Sequence, residues 1–195
     1  MKKLFILLIS FILLAGTNEN ARAQCKYKSI KKYTKFAKSE DCKVTVDVAT
    51  KFKIIFKKFA TGAGVSFVKS GEDYYLFYYQ NRGYSSRYEI HTHNSFDIIF
   101  DDGQILSLFP CGDFRGKGIG VGIDYGIGCF YNVTEEQLVL IADHMVDMVR
   151  IHITTDKDIS DAQIDEDGSL FLEYVIHKDN YSDNAPDMAN CILSY

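Results

Sequence analysis

The chain has 195 residues, of which 47% are hydrophobic and 25% are charged, and its formal net charge at pH 7 is −4. Phosphate backbones are bound by concentrated positive surfaces, so this charge balance argues against a nucleic-acid partner. The 13 tyrosines and 14 phenylalanines beside only 2 prolines favour a β-rich body.

Residues 1–23 have the three parts of a secretory signal peptide. Two lysines precede an apolar run over residues 4–14, which is shorter than the roughly 20 residues of a membrane span, and Ala21 and Ala23 form an Ala-x-Ala cleavage site. We therefore expect cleavage after Ala23 and export to the periplasm, the cell surface or the medium. No second apolar run has membrane length, so no membrane span is predicted.

A basic segment follows the predicted cleavage site. Residues 24–40 contain six lysines: Lys26, Lys28, Lys31, Lys32, Lys35 and Lys38. This pattern favours a solvated, partly disordered tail, with contact to an anionic envelope surface as the alternative. Residues 41–195 contain no sustained repeats or low-complexity linkers, so we expect them to form a single α+β domain.

Alternating apolar and polar residues predict strands over the first half of this domain. They cover residues 44–48, 52–56, 65–69, 74–80, 88–92, 96–100 and 104–109. Asp102 and Gly103, between the last two segments, are the strongest hairpin signal. In the fourth segment tyrosines occupy both faces, and we expect Tyr75, Tyr78 and Tyr79 to form an aromatic contact surface near solvent.

A glycine-rich segment over residues 112–128 interrupts the strand pattern. It does not fit the P-loop, because Gly118 stands where the P-loop has serine or threonine. We interpret it as a structural loop or as a loop that contacts a ligand. In the second case Arg115, Lys117 and Tyr125 are the predicted ligand-binding residues.

A helix is predicted directly after this segment. Thr134 and Gln137 have the spacing of a capping box, and apolar residues then recur at helical spacing. We expect a helix over residues 135–148, followed at once by a strand that begins at Val149. A further strand over residues 170–177 and a short C-terminal helix complete the predicted elements. The predicted fold class is α+β, a mainly antiparallel sheet of about seven to eight strands packed by one long helix and a short one.

Three of these sequence features also occur together in known proteins. The hairpin sequence DGQILSL at 102–108, the helix start YNVTEEQL at 131–138 and the strand start VRI at 149–151, with the glycine-rich crossing between them, resemble a group of small secreted bacterial proteins without assigned activity. The resemblance implies the fold class and an exported location. It carries over no catalytic residues.

Five cysteines follow the predicted cleavage site and would meet an oxidising compartment: Cys25, Cys42, Cys111, Cys129 and Cys191. We expect Cys111 to pair with Cys129, because they flank the glycine-rich segment and closing that loop stabilises the fold by about 3 kcal/mol. Cys25 with Cys42 is the second predicted pair. The odd cysteine is expected to be a buried free thiol, with a bridge between chains as the alternative.

His91 and His93 are the sharpest chemical signal in the sequence. On a strand, a spacing of two places both imidazoles on one side, about 7 Å apart, where Asp97 could complete a metal site. The alternative is a pair of solvent-facing histidines at a strand end, since a catalytic zinc needs three protein ligands and an open position. No cofactor is predicted.

These observations predict a binding domain rather than an enzyme. Its expected partner is a protein, a peptide or a glycan, recognised through the tyrosine-rich strand and the glycine-rich loop. The alternative is a metal-dependent or histidine-assisted hydrolase that uses His91 and His93.

Overall fold

The computed structural model describes residues 25, 27–58, 61–83, 87–119, 124–176 and 184–195. The predicted signal peptide, residues 1–23, lies outside the described residues. Within them the elements, in chain order, are α1 (Lys31–Thr34), β1 (Val48–Ala49), β2 (Lys53–Lys58), β3 (Thr61–Ser70), β4 (Asp73–Gly83), β5 (Glu89–Ile90), β6 (Phe96–Phe100), β7 (Ile105–Leu108), β8 (Phe114–Arg115), β9 (Lys117–Ile119), β10 (Asp124–Val133), α2 (Glu135–Asp143), β11 (Val146–Ile153), β12 (Ala162–Ile164), β13 (Leu170–Val175) and α3 (Asn184–Leu193). The α+β class and the antiparallel pairing are confirmed.

The strands form two main sheets and a short ribbon. The first sheet has the order β1-β3-β4-β10-β9, with β2 also paired to β3, and the second has the order β12-β13-β11-β6-β7. Strands β5 and β8 pair as a two-stranded ribbon beside them. The described chain therefore contains more strands than the seven or eight that the sequence predicted.

The core lies between the two sheets. Tyr131 of β10 and Phe96 of β6 are both buried, and their ring centroids are 5.3 Å apart. Tyr78 of β4 also contacts Phe96, at 6.0 Å between centroids. Alternate residues of a strand point to opposite faces, so the other set on β4, which includes Phe77 and Tyr79, lies on the outer face of the first sheet.

Helix α2 begins as predicted but ends early. Its capping box is present: the Thr134 hydroxyl accepts from the Gln137 backbone N–H at 3.2 Å, and the Gln137 side-chain oxygen accepts from the Thr134 N–H at 2.9 Å. The helix ends at Asp143, and the prediction of helix to residue 148 is wrong. Strand β11 already begins at Val146, because Val146 and Met148 pair with β6. Pairing with a distant strand outweighs the local helical spacing.

The described part of the basic segment 24–40 packs on the outer face of the first sheet. Ile30 and Phe36 are buried, and the ring of Tyr33 lies 5.0 Å from that of Tyr79. The Gly128 N–H of β10 donates to the Phe36 carbonyl at 3.1 Å. The lysines of α1 remain exposed, so this segment has one apolar and one basic side.

Two disulfides, one at Cys25 within this segment and one at Cys42 just after its end, join it to the rest of the fold. Cys25 is bonded to Cys191, and Cys42 to Cys111, so both predicted pairings are wrong. The Cys111–Cys129 pairing fails because Cys129 lies opposite Tyr78 on the core side of β10, where it is fully buried. Cys129 is a free thiol, which confirms the buried-thiol interpretation of the odd cysteine. The disulfides indicate an oxidising, extracellular type of environment.

None of the helices in the described ranges is long and apolar enough to cross a bilayer.

Candidate functional site

The predicted aromatic contact surface is largely covered by the chain itself. Tyr78 is fully buried, which contradicts the exposed position predicted for it. The ring of Tyr79 is half-buried under Tyr33 and Phe36, at 5.0 and 5.2 Å between centroids. Tyr75 is half-buried and lies edge-on to a core phenylalanine at 6.1 Å. The three predicted tyrosines therefore do not form one open aromatic face.

Tyr78 instead belongs to a buried polar network between the sheets. Its hydroxyl donates to the side-chain oxygen of Gln80 at 2.8 Å and lies 3.0 Å from the Tyr88 hydroxyl. The Gln80 side-chain amide donates to the Tyr174 hydroxyl of β13 at 2.7 Å. Burial raises the pKa of Tyr174 to about 12 and that of Tyr78 well above its ordinary value. These hydroxyls stay neutral and link the first sheet to the second.

The structure does not bring the three predicted metal ligands together. The rings of His91 and His93 stack with centroids 5.8 Å apart, but Asp97 contacts His152 at 3.0 Å instead. Both ring nitrogens of His91 already face carboxylates, Nδ1 at 3.1 Å from Asp113 and the other at 3.4 Å from Glu89. In the part of the chain that the structure describes, no three His, Cys, Asp or Glu side chains are arranged to hold a metal ion.

Arg115 occupies the most open position among the predicted ligand-binding residues. It lies on the ribbon formed by β5 and β8, and its side chain is 76% exposed. Its charged partner is Glu89, with Nε to carboxylate oxygen at 3.6 Å. On this surface a pair 3.6 Å apart contributes little and can exchange for a ligand.

Two clefts share Arg115 and together form what we call the Arg115 groove. The first has a volume of about 460 Å³ and is lined mainly by Arg87, Glu89, Tyr125, Thr154, Thr155 and Asp156. The second has a volume of about 830 Å³ and is lined mainly by Lys38, Ser39, Asp41, Lys43, Asp113 and Phe130. Both clefts carry side chains of both charge signs.

The floor of the groove is held by hydrogen bonds. The Tyr125 hydroxyl donates to the Tyr88 carbonyl at 2.8 Å and accepts from the Gly116 N–H at 2.8 Å. Gly116 is required at this point, since a Cβ would overlap the Tyr125 ring and lie 2.6 Å from the Gly126 carbonyl oxygen. The Arg115 N–H donates to a main-chain carbonyl of the N-terminal segment at 3.1 Å. Arg115 therefore projects from a fixed backbone.

Lys117 and Tyr125 have different positions in this region. Tyr125 lines the groove but is only 6% exposed, so its ring forms part of the floor and not a stacking surface. The Lys117 ammonium lies 5.1 Å from the centroid of the Phe36 ring. Of the predicted ligand-binding residues, the structure thus brings Arg115 and Tyr125 together, whereas the side chain of Lys117, on β9, lies against Phe36 of the N-terminal segment.

A second polar cluster lies on the outer face of the second sheet, and of its members the sequence had singled out only Asp97, as a metal ligand. Asp97 of β6 and His152 of β11 face each other, and the Ser169 hydroxyl lies 3.4 Å from the other nitrogen of the His152 ring. These residues lie on separate strands or strand ends, far apart in the chain. The signal that could have marked them was the alternation of Arg150 and His152 on the polar face of β11.

No protein-family model, curated protein or solved structure matches this chain. The resemblance to small secreted bacterial proteins therefore stays a prediction.

Proposed function

We propose that this chain is an exported, disulfide-bonded binding domain that recognises a peptide carrying a carboxylate through the Arg115 groove. The observation that carries the proposal is the exposed Arg115 guanidinium, placed between two clefts on a hydrogen-bonded floor. Export is supported by the signal-peptide pattern of residues 1–23 and by the two disulfides.

The chemistry of the groove favours a peptide over a glycan. A guanidinium offers a planar pair of donors that matches a carboxylate, as found on acidic side chains and at a peptide C-terminus. Thr154, Thr155 and Asp156 add hydroxyl and carboxylate groups along the same cleft. Tyr88 and Tyr125 are buried at 1% and 6% exposure, so the groove offers charges and hydrogen bonds instead of an aromatic face for a sugar ring.

The histidine-assisted hydrolase has weaker support. A general base needs a nitrogen that can reach the proton it abstracts. Both nitrogens of His91 lie near carboxylates, so a substrate would have to displace Asp113 or Glu89 first.

The test is selection from a displayed library of random peptides with residues 24–195 as bait, followed by calorimetry on the enriched peptides. We expect the selected peptides to carry acidic side chains or a free C-terminal carboxylate. Arg115→Ala should weaken their binding at least tenfold, and Arg115→Lys should partly retain it. Lys69→Ala, on β3 away from the groove, is the matched control and should bind like the parent. Equal binding by Arg115→Ala, or selective binding to a glycan array in place of peptides, would overturn the proposal.

A further inference from the structure

Asp97, His152 and Ser169 form a linked set of side chains on the outer face of the second sheet. The Asp97 carboxylate lies 3.0 Å from Nε2 of His152, and the Ser169 hydroxyl lies 3.4 Å from Nδ1 of the same ring. The side chains of Asp97 and His152 are only 14% and 13% exposed. The pair is therefore shielded from water on most sides, which strengthens its electrostatic interaction.

The backbone fixes each member of this set. The His152 N–H donates to the Ser95 carbonyl at 2.9 Å, and the imidazole lies against the Phe171 ring at 5.7 Å between centroids. The Asp167 carboxylate accepts from the Ser169 N–H at 2.9 Å and also from the Ser169 hydroxyl, which has to turn towards His152 before it reacts. Ser169 directly follows Gly168, which has a positive φ of 85° and ends a tight turn. The serine is thus held directly before the first residue of β13.

One tautomer of His152 would allow it to take a proton from Ser169. When Nε2 carries the proton and donates it to Asp97, Nδ1 has a free lone pair and lies 3.4 Å from the Ser169 hydroxyl. This is the relation of nucleophile, base and orienting carboxylate found in serine hydrolases, with the two ring nitrogens exchanged. The exchange leaves the acid–base chemistry of the imidazole unchanged.

We infer that Ser169 is a nucleophilic serine that His152 activates and Asp97 positions, and that it accepts an acyl group from a carboxylic ester. Ser169 Oγ forms a bond to the carbonyl carbon while its proton moves to Nδ1 of His152. The bond from that carbon to the alcohol oxygen then breaks, and the alcohol leaves with the proton from His152. Water, deprotonated by His152, releases the acid and restores Ser169.

Charged groups surround His152 on several sides. Asp97 faces it from β6, and Asp165 and Asp167 face it from the turn before β13; all three raise its pKa, with Asp97 the main cause. Arg150 lies two residues away on β11 and is bound to Glu173 at 2.7 Å, so this cation is neutralised locally. The base should therefore become active only as the pH rises past the raised pKa of His152.

The direct test is labelling with a fluorophosphonate probe, which bonds to a nucleophilic serine and releases fluoride. We expect one adduct, located at Ser169 by peptide mass spectrometry, and slow hydrolysis of p-nitrophenyl acetate. Ser169→Ala should abolish both, whereas Ser160→Ala, an exposed serine in the preceding loop, should leave both unchanged. His152→Gln should slow labelling roughly 100-fold or more.

The pH profile separates a base from a merely structural histidine. The labelling rate should rise with pH as His152 loses its proton, and Asp97→Asn should move the midpoint to lower pH because the carboxylate that raises the pKa is gone. If Ser169→Ala fails to fold, Ser169→Cys provides a second test. Its thiol should be alkylated faster in the single variant than in the double variant that also carries His152→Gln. Labelling spread over many serines, or an equal rate in His152→Gln, would overturn the inference.

Discussion

The ring of Tyr33 lies 5.0 Å from the ring of Tyr79, which places the N-terminal segment directly on the outer face of the first sheet. Disulfides hold this segment at Cys25 and, just after its end, at Cys42. An aromatic face that would otherwise be open to solvent is therefore part of the packed interior. The proposed binding site, the Arg115 groove, therefore does not use this aromatic face.

The N-terminal segment should contribute strongly to stability. Phe36 is only 6% exposed, so Phe36→Ala removes a buried ring and should lower the free energy of unfolding by about 3–5 kcal/mol. Lys35→Ala changes an exposed neighbour and should cost less than about 1 kcal/mol. Urea unfolding followed by circular dichroism measures both. Similar values for the two variants would mean that the segment does not pack as described.

The free thiol of Cys129 should be unreactive in the folded protein. Burial raises its pKa well above the ordinary value, and the thiolate is the reactive form. Native protein should give no fast reaction with Ellman's reagent, and unfolded, non-reduced protein should give one thiol per chain. Peptide mapping without reduction should find Cys25 linked to Cys191 and Cys42 linked to Cys111. A Cys111–Cys129 peptide would contradict the described packing.

The Asp97–His152 pair should make stability depend on pH. The hydrogen bond to Asp97 raises the pKa of His152 above 6.5 in the folded protein. The contribution of protonated His152 to the free energy of unfolding is therefore complete below pH 6.5, and it is lost as the pH rises through the raised pKa. Burial alone would raise the pKa of Asp97, but the hydrogen bond from His152 lowers it below 3.8. The stabilisation from Asp97 is therefore lost as pH falls through its folded pKa.

The two effects together define a pH range. The Asp97–His152 pair should stabilise the folded protein most between about pH 4 and pH 6.5. Urea unfolding of the parent and of His152→Gln, measured from acidic to alkaline pH, should differ most inside this range and less above it. A difference that stays constant with pH would show that the pair is not linked to folding.

The buried tyrosine network should be sensitive to the loss of a single hydroxyl. Tyr78→Phe removes a donor to Gln80 and a neighbour of the Tyr88 hydroxyl, and leaving buried polar groups short of a partner costs about 1–2 kcal/mol. Tyr33→Phe keeps the ring contacts of the N-terminal segment and should change stability by less than about 0.5 kcal/mol. The midpoint temperatures of thermal unfolding compare the two variants. Equal midpoint temperatures for Tyr78→Phe and Tyr33→Phe would contradict a stabilising role of the buried tyrosine network.

Local patterns predicted the short-range features of this fold well. The Asp102-Gly103 signal corresponds to the β6–β7 hairpin, in which Gly103 has a φ of 86°. The sheet position of Tyr78 and Tyr79 was also predicted, but alternation alone could not say what covers each face. The second sheet covers the face that holds Tyr78, and the N-terminal segment covers the face that holds Tyr79. The lysines of that segment indicated only its solvent side.

By itself the sequence determined the cap at Thr134, the turn at Gly103 and the antiparallel strand class, because these signals act within a few neighbouring residues. Only the tertiary structure decided that Cys42 pairs with Cys111 across 69 residues and that Asp97 meets His152 across 55. Those contacts follow from which strands lie side by side, and strand order is set by the burial of whole faces and not by local spacing.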